Sequence, residues 1–168
     1  MIYLKTDEEI EILRENNILV SRALAEVGKH IRDGVTTGEL NRIAEEFIRD
    51  NGAEPAFLGY QGYPASACIS VNEQVVHGIP GDRIIREGDI VSVDLGTFLK
   101  GFVGDSAYTF AVGEVAPQVR QLLDVTKEAL YRGTAQAKAG NRVGDISAAV
   151  QDYVESFGYG VVRELEGH

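Results

Sequence analysis

The spacing of apolar and polar residues changes character three times along the chain. Thr6-Asp7-Glu8-Glu9 has the form of a capping box, with Thr6 capping and Glu9 at the third helical position. Behind it Ile10, Leu13, Leu24, Val27 and Ile31 recur at mostly helical spacing, and Gly34 supplies a stop. Thr36-Thr37-Gly38-Glu39 offers a second capping box. Leu40, Ile43, Ala44, Phe47 and Ile48 form the apolar face of the helix after it, and Asn51-Gly52 ends it. Between residues 53 and 113 the chain becomes rich in Gly, Val, Ile and aromatic residues. This stretch predicts strands at Ser66–Val71 and Val75–His77, then a strand pair, Asp89–Leu95 and Gly104–Phe110, joined through Lys100-Gly101. Helical spacing returns after Pro117 and runs to about Ala139, where Gly140 stops it. A last helix is expected from about Asp145 to Ser156, ending at Gly158, with a strand-like stretch at Gly160–Leu165.

Self-comparison adds an organising feature. Gly34-Val35-Thr36-Thr37-Gly38-Glu39-Leu40 resembles Gly140-Asn141-Arg142-Val143-Gly144-Asp145-Ile146, an offset of 106 residues. The offset persists through the helix behind, where Phe47 falls on Tyr153, Ile48 on Val154 and Gly52 on Gly158. Each unit would hold two helices followed by a strand-rich half. The first unit, about residues 1–112, has its strands. The second, about 113–168, has only ten residues after Gly158, so the sequence reads as one domain cut off inside its second repeat.

Composition narrows the function classes. At 168 residues with 44% hydrophobic and 25% charged residues, the chain is an ordinary globular domain with enough apolar material for a core. Sixteen basic against 26 acidic residues leave a net charge of −10, which disfavours bulk attraction to nucleic acid or an anionic membrane. No apolar run reaches the roughly 18 residues of a membrane span. A single cysteine excludes a disulfide framework and Cys-rich zinc sites, and points to a reducing, cytoplasmic setting.

The candidate chemistry begins with Asp94 and Asp105. Both lie in apolar strand surroundings, where an unpaired carboxylate is costly. A hairpin turning at Lys100-Gly101 pairs residues whose numbers add up to 201, so Asp94 faces Ala107 and Asp105 is its diagonal neighbour on the same face. Such neighbours lie about 7–8 Å apart. Two like charges converging there call for a cation, and hard or borderline metals accept carboxylate oxygens. The plainer alternative is that one Asp caps a turn and the other pairs with a basic residue. His77 and His168 are each open to two readings, a satisfied structural histidine or a functional one, and His168 could join the two aspartates around a metal. The loop Phe57-Leu58-Gly59-Tyr60-Gln61-Gly62-Tyr63-Pro64 either lines an apolar pocket or covers the core. Cys68 reads as a small buried apolar residue. No P-loop, Gly-x-Gly-x-x-Gly or Gly-x-Ser-x-Gly motif is present.

Gly59 to Glu73, then Val76-His77-Gly78-Ile79-Pro80, Gly88-Asp89-Ile90-Val91, Asp94, Gly104-Asp105, Val161-Val162-Arg163-Glu164 and Gly167-His168 together resemble the type I methionine aminopeptidases, in order and over nearly the whole chain. The resemblance implies an α/β (α+β) pita-bread fold, with two pseudo-symmetric halves around a site for up to two divalent ions (Co, Mn, Fe or Zn). It implies a metal-dependent aminopeptidase that removes the N-terminal methionine of nascent polypeptides with metal-activated water. Asp94, Asp105 and His168 match three of five metal ligands, and His77 matches the catalytic histidine that meets the scissile peptide. Phe57, Tyr60, Tyr63, Cys68 and His77 match the substrate pocket for the methionine side chain. The two glutamate ligands of the family have no counterpart in these 168 residues, so the chain by itself is expected to be inactive or nearly so, and to self-associate through surfaces meant for further strands. The resemblance implies a nascent peptide as substrate, with the ribosome as a further candidate partner, and neither a membrane nor direct nucleic-acid binding. Two alternatives stay open: an X-Pro-type peptidase of the same fold, and a non-catalytic pita-bread binding module.

Overall fold

A computed structural model describes residues 3–165. The elements, in chain order, are α1 (Asp7–His30), α2 (Thr37–Asp50), β1 (Glu54–Pro55), β2 (Ala67–Val71), β3 (Ile90–Leu99), β4 (Phe102–Ala111), α3 (Pro117–Thr134) and α4 (Val143–Glu155). They divide into two compact units, residues 1–115 and 116–168.

In the first unit the capping box at Thr6 forms as expected: Glu9 N–H donates to Thr6 Oγ1 at 3.2 Å, and Thr6 N–H donates to Glu9 Oε2 at 2.8 Å. The second expected box forms by its Thr36 half, with Glu39 N–H donating to Thr36 Oγ1 at 3.1 Å. α1 ends at His30, four residues before the expected stop. Gly34 instead takes a left-handed φ of 88° in the turn between the helices.

The four strands form one antiparallel sheet in which β3 is central. β4 pairs along one side of it, and β2 and the short β1 pair end to end along the other. The β3–β4 hairpin turns on Lys100 and Gly101, both at positive φ (51° and 86°), the two-residue geometry whose twist suits flanking strands. Its register pairs Asp94 with Ala107 and Gly96 with Asp105.

Alternation along the strands separates two faces. Ala67, Ile69 and Val71 of β2 and Val91, Val93 and Leu95 of β3 are buried with Leu19, Val20, Ala23 and Val27 of α1 and Leu40, Ala44 and Ile48 of α2. Helices therefore cover one face of the sheet. A buried polar knot pins α1 to the hairpin. Asn16 donates from Nδ2 to the carbonyls of Thr97 (3.2 Å) and Phe102 (2.8 Å), and its Oδ1 accepts from Thr97 Oγ1 at 2.6 Å. Gly104 sits against this knot, where a Cβ would lie 2.9 Å from the Asn16 carbonyl oxygen.

The expected strand at Val75–His77 is a loop. Val75 and Val76 are exposed, and His77 has φ 57°, which breaks an extended run. β2 is nevertheless closed along its outer edge by other acceptors. Ala67 N–H donates to Asn41 Oδ1 (3.0 Å), Ile69 N–H to the Gly78 carbonyl (2.8 Å) and Val71 N–H to Gln74 Oε1 (2.9 Å). Three acceptors, one on α2 and two on the loop after β2, thus do what a neighbouring strand would do.

The second unit is a helical pair. α3 stops at Thr134, short of the expected Ala139, and residues 135–140 form turns instead. Val125 and Ala129 of α3 bury against Val154 of α4. Gly133 lets the helices approach, since a Cβ there would sit 2.8 Å from Val150 Cγ2. The expected strand at Gly160–Leu165 is irregular and mostly exposed. No helix among the described residues is long and apolar enough to cross a membrane.

Candidate active site on the open face of the sheet

The face turned away from the helices carries the polar residues of β2, β3 and β4. Cys68 is paired with Asp94, Ser70 with Ser92, Ser92 with Thr109, Asp94 with Ala107 and Gly96 with Asp105. Because paired residues of a ladder share a face, Cys68, Asp94 and Asp105 lie together on it. Ser92 and Thr109 share a hydrogen bond between their hydroxyls at 2.8 Å. Asp105 is exposed and Asp94 partly buried. Oδ1 of Asp94 is buried.

The electrostatics report the same convergence. Burial is the largest effect raising the Cys68 thiol pKa, and the charges of Asp94 and Asp105 raise it further, while the Tyr63 hydroxyl opposes them. Cys68 is 5% exposed, a small buried residue as the sequence implied.

Phe57 lies over the same strands. A Cβ on Gly96 would come within 2.5 Å of the Phe57 ring, so the absence of a side chain at Gly96 makes room for that ring beside the Asp105 pair. The loop after it closes on itself: Gly59 N–H donates to the Tyr63 carbonyl at 2.8 Å and Tyr63 N–H to the Tyr60 carbonyl at 2.9 Å. The two tyrosines it presents behave differently. Tyr60 is 66% exposed. Tyr63 turns inward, its hydroxyl 3.0 Å from the Ala67 carbonyl and 3.2 Å from the Gly78 carbonyl. Burial, then the neighbouring Cys68, holds the Tyr63 pKa above the ordinary tyrosine value.

His77 is exposed and precedes Gly78, whose peptide is fixed at both ends. Its N–H donates to Ser70 Oγ at 3.1 Å, and its carbonyl accepts from Ile69 N–H and from Tyr63. Ser70 was not among the residues singled out in the sequence. A buried serine on the polar face of a strand is its only signal. His168 lies outside the described residues. Among the described residues no three His, Cys, Asp or Glu side chains gather as a metal centre. The donor set present, two carboxylates side by side on one open face, suits a divalent ion that completes its shell from elsewhere.

Residues 11–168 match metallopeptidase family M24. The chain is 50% identical over 169 residues to the methionine aminopeptidase of Clostridium acetobutylicum, and 49% identical over 168 residues to methionine aminopeptidase 1 of Bacillus subtilis. In both cases the match covers all of this chain and 68% of the relative. This chain belongs to the type I methionine aminopeptidases, metallo-exopeptidases of family M24. A crystal structure of methionine aminopeptidase from Thermotoga maritima superposes with TM-score 0.97 at 42% identity, covering the whole chain and 68% of that structure. The prolidase of Pyrococcus furiosus superposes less closely, with TM-score 0.84 at 27% identity over 94% of this chain and 45% of its own length. The pita-bread, mixed α/β fold of these methionine aminopeptidases and prolidases is the fold of this chain, which spans about two thirds of the methionine aminopeptidases it matches.

Proposed function

We propose that this chain forms the methionine-side-chain pocket and part of the metal centre of an aminopeptidase that removes the initiator methionine from nascent polypeptides. The observation that carries the reading is the hairpin register. It sets Asp94 and Asp105 diagonally on the open face of the sheet, with Cys68 paired to Asp94 and Phe57 packed at Gly96. The higher identity to methionine aminopeptidases than to the prolidase favours this substrate over an X-Pro peptide.

In this reading Asp94, Asp105 and His168 hold divalent metal of the Co, Mn, Fe or Zn class. When bound, such an ion lowers the pKa of a water and polarises the scissile carbonyl. The remaining work belongs to side chains. Phe57, Tyr60, Tyr63 and Cys68 surround an unbranched thioether with apolar surface, and glycines at 59 and 62 let the loop fold close around it. His77 donates a hydrogen bond to the peptide being cut, which fixes its orientation and stabilises charge that develops there. A nascent chain as substrate and a single cysteine without a disulfide support a cytoplasmic setting, with the ribosome as the source of substrate. β4 has no strand partner on its outer side among the described residues, which supports self-association of the isolated chain through that edge.

Titration of Mn²⁺ or Co²⁺ into the chain followed by calorimetry tests the metal reading. Asp105→Ala is expected to weaken binding at least about 100-fold, beyond the loss typical of an outer-shell change. Unchanged affinity would remove Asp105 from the metal centre.

A further inference from the structure

We infer that Tyr63 and Ser70 are positioning residues for His77, acting through the peptide of Gly78. The inference rests on the reading of His77 as the group that meets the scissile peptide.

His77 holds a left-handed backbone, φ 57°, without being a glycine. That conformation costs a side-chain-bearing residue free energy and persists where the surroundings over-determine it. Here they do so at the next residue. The Gly78 N–H is held by Ser70 Oγ at 3.1 Å, within a buried environment. The Gly78 carbonyl takes Ile69 N–H at 2.8 Å and faces the Tyr63 hydroxyl at 3.2 Å. Gly78 itself is pressed onto β2 so closely that a Cβ would collide with the Ile69 backbone carbonyl. The loop after His77 is thus stapled to the middle of β2 by one main-chain and one side-chain hydrogen bond, and to the aromatic loop by the Tyr63 hydroxyl.

The Ser70 hydroxyl meets Gly78, and the Tyr63 hydroxyl is shared between Gly78, the Ala67 carbonyl and Cys68. Ser70 is 3% exposed on the open face of β2, and its oxygen is spent on Gly78. A wall for an apolar side chain needs only the ring of Tyr63, yet its hydroxyl points at the carbonyls of Ala67 and Gly78, one on β2 and one on the His77 loop. Tyr63 therefore ties the aromatic loop, β2 and the His77 loop together at one atom. Phenylalanine would keep the wall and lose the tie.

The chain has three histidines, so imidazole NMR signals resolve to His30, His77 and His168, with His77→Ala assigning one. Tyr63→Phe and Ser70→Ala are each expected to displace the His77 imidazole signal and to speed exchange of the Gly78 amide about fivefold or more, with His30 unmoved. A folded variant pair in which His77 and Gly78 stay as in the parent chain overturns the inference. Binding of Met-Ala-Ser separates positioning from direct contact. Tyr63→Phe should weaken it about fivefold in the parent and cause no further loss in a His77→Ala background. Equal loss in both backgrounds shows that the Tyr63 hydroxyl acts on the peptide independently of His77 and overturns positioning. Undiminished affinity in His77→Ala alone removes His77 from the peptide site, while the NMR signals still decide the staple.

Discussion

The two faces of the β2–β3–β4 sheet are made by the same strands and behave as different materials. On the helix side, side chains such as Val91, Val93 and Leu95 are fully buried, and in the polar knot of Asn16 and Thr97 the Asn16 amide nitrogen and oxygen are both bonded. On the open side, one residue along in each case, stand Ser92, Asp94 and Gly96, with Cys68 and Asp105 as cross-strand partners. The first face supplies the cohesion that lets the second hold two carboxylates side by side. Stability and chemistry alternate residue by residue along β3.

That division makes graded predictions. Leu95→Ala, one residue from Asp94 but facing the helices, should cost about 2–5 kcal/mol in urea unfolding, the range for emptying a filled core position. A loss below 1 kcal/mol would show that the covered face is not the stabilising one. Asn16→Ala leaves two carbonyls and the Thr97 hydroxyl in the knot without their partner and should cost about 1–3 kcal/mol. Its hydrophobic isostere Asn16→Leu should not recover that loss.

Glu45 lies at the border of the two faces, accepting a hydrogen bond from Ser66 Oγ at 2.8 Å just before β2 and pairing with Arg49. The Ser66 hydroxyl first, then Arg49, lowers its pKa in the folded chain. A depressed carboxylate adds stability above its unfolded pKa and loses it as pH falls through the folded value. Glu45→Gln should therefore cost about 0.5–1 kcal/mol at pH 7, with parent and variant converging as pH falls through the lowered folded pKa. A difference that widens on acidification would reverse the assignment. The smallest effect is expected on the open face itself. Asp105→Asn, exposed and outside the core, should change stability by less than about 0.5 kcal/mol. A cost matching that of Leu95→Ala would erase the distinction between the faces.

The sequence exposes what depends on local rules. Thr6 with Glu9 marks the first helix, and Lys100-Gly101 between alternating strands sets the register that brings Asp94 and Asp105 together. Both are short-range signals, and the observed pairing follows the expected one residue for residue. What stays hidden depends on distant partners. Val75–His77 has strand-forming residues, but its fate is decided by the Gly78 contact with Ile69, Ser70 and Tyr63, which no local pattern encodes. Gly160–Leu165 carries β-branched residues yet lacks a strand to pair with among the described residues, so propensity alone does not extend it. The resemblance marks Phe57 as a pocket residue. That its ring rests on Gly96 follows from the bend of a loop the sequence marks only by its glycines.

The Lys100-Gly101 turn has one further consequence, for how this protein can change over time. A two-residue turn leaves no slack, and Lys100 is also tethered to α1 by an ion pair with Glu15 at 2.6 Å. Side chains in the hairpin can be exchanged one at a time with graded effects. A single inserted or deleted residue between Asp94 and the turn would instead rotate one carboxylate to the helix-covered side while leaving the other in place. Composition in the hairpin can therefore change with graded effects, whereas a change of length between Asp94 and Asp105 would part the two side chains onto opposite faces.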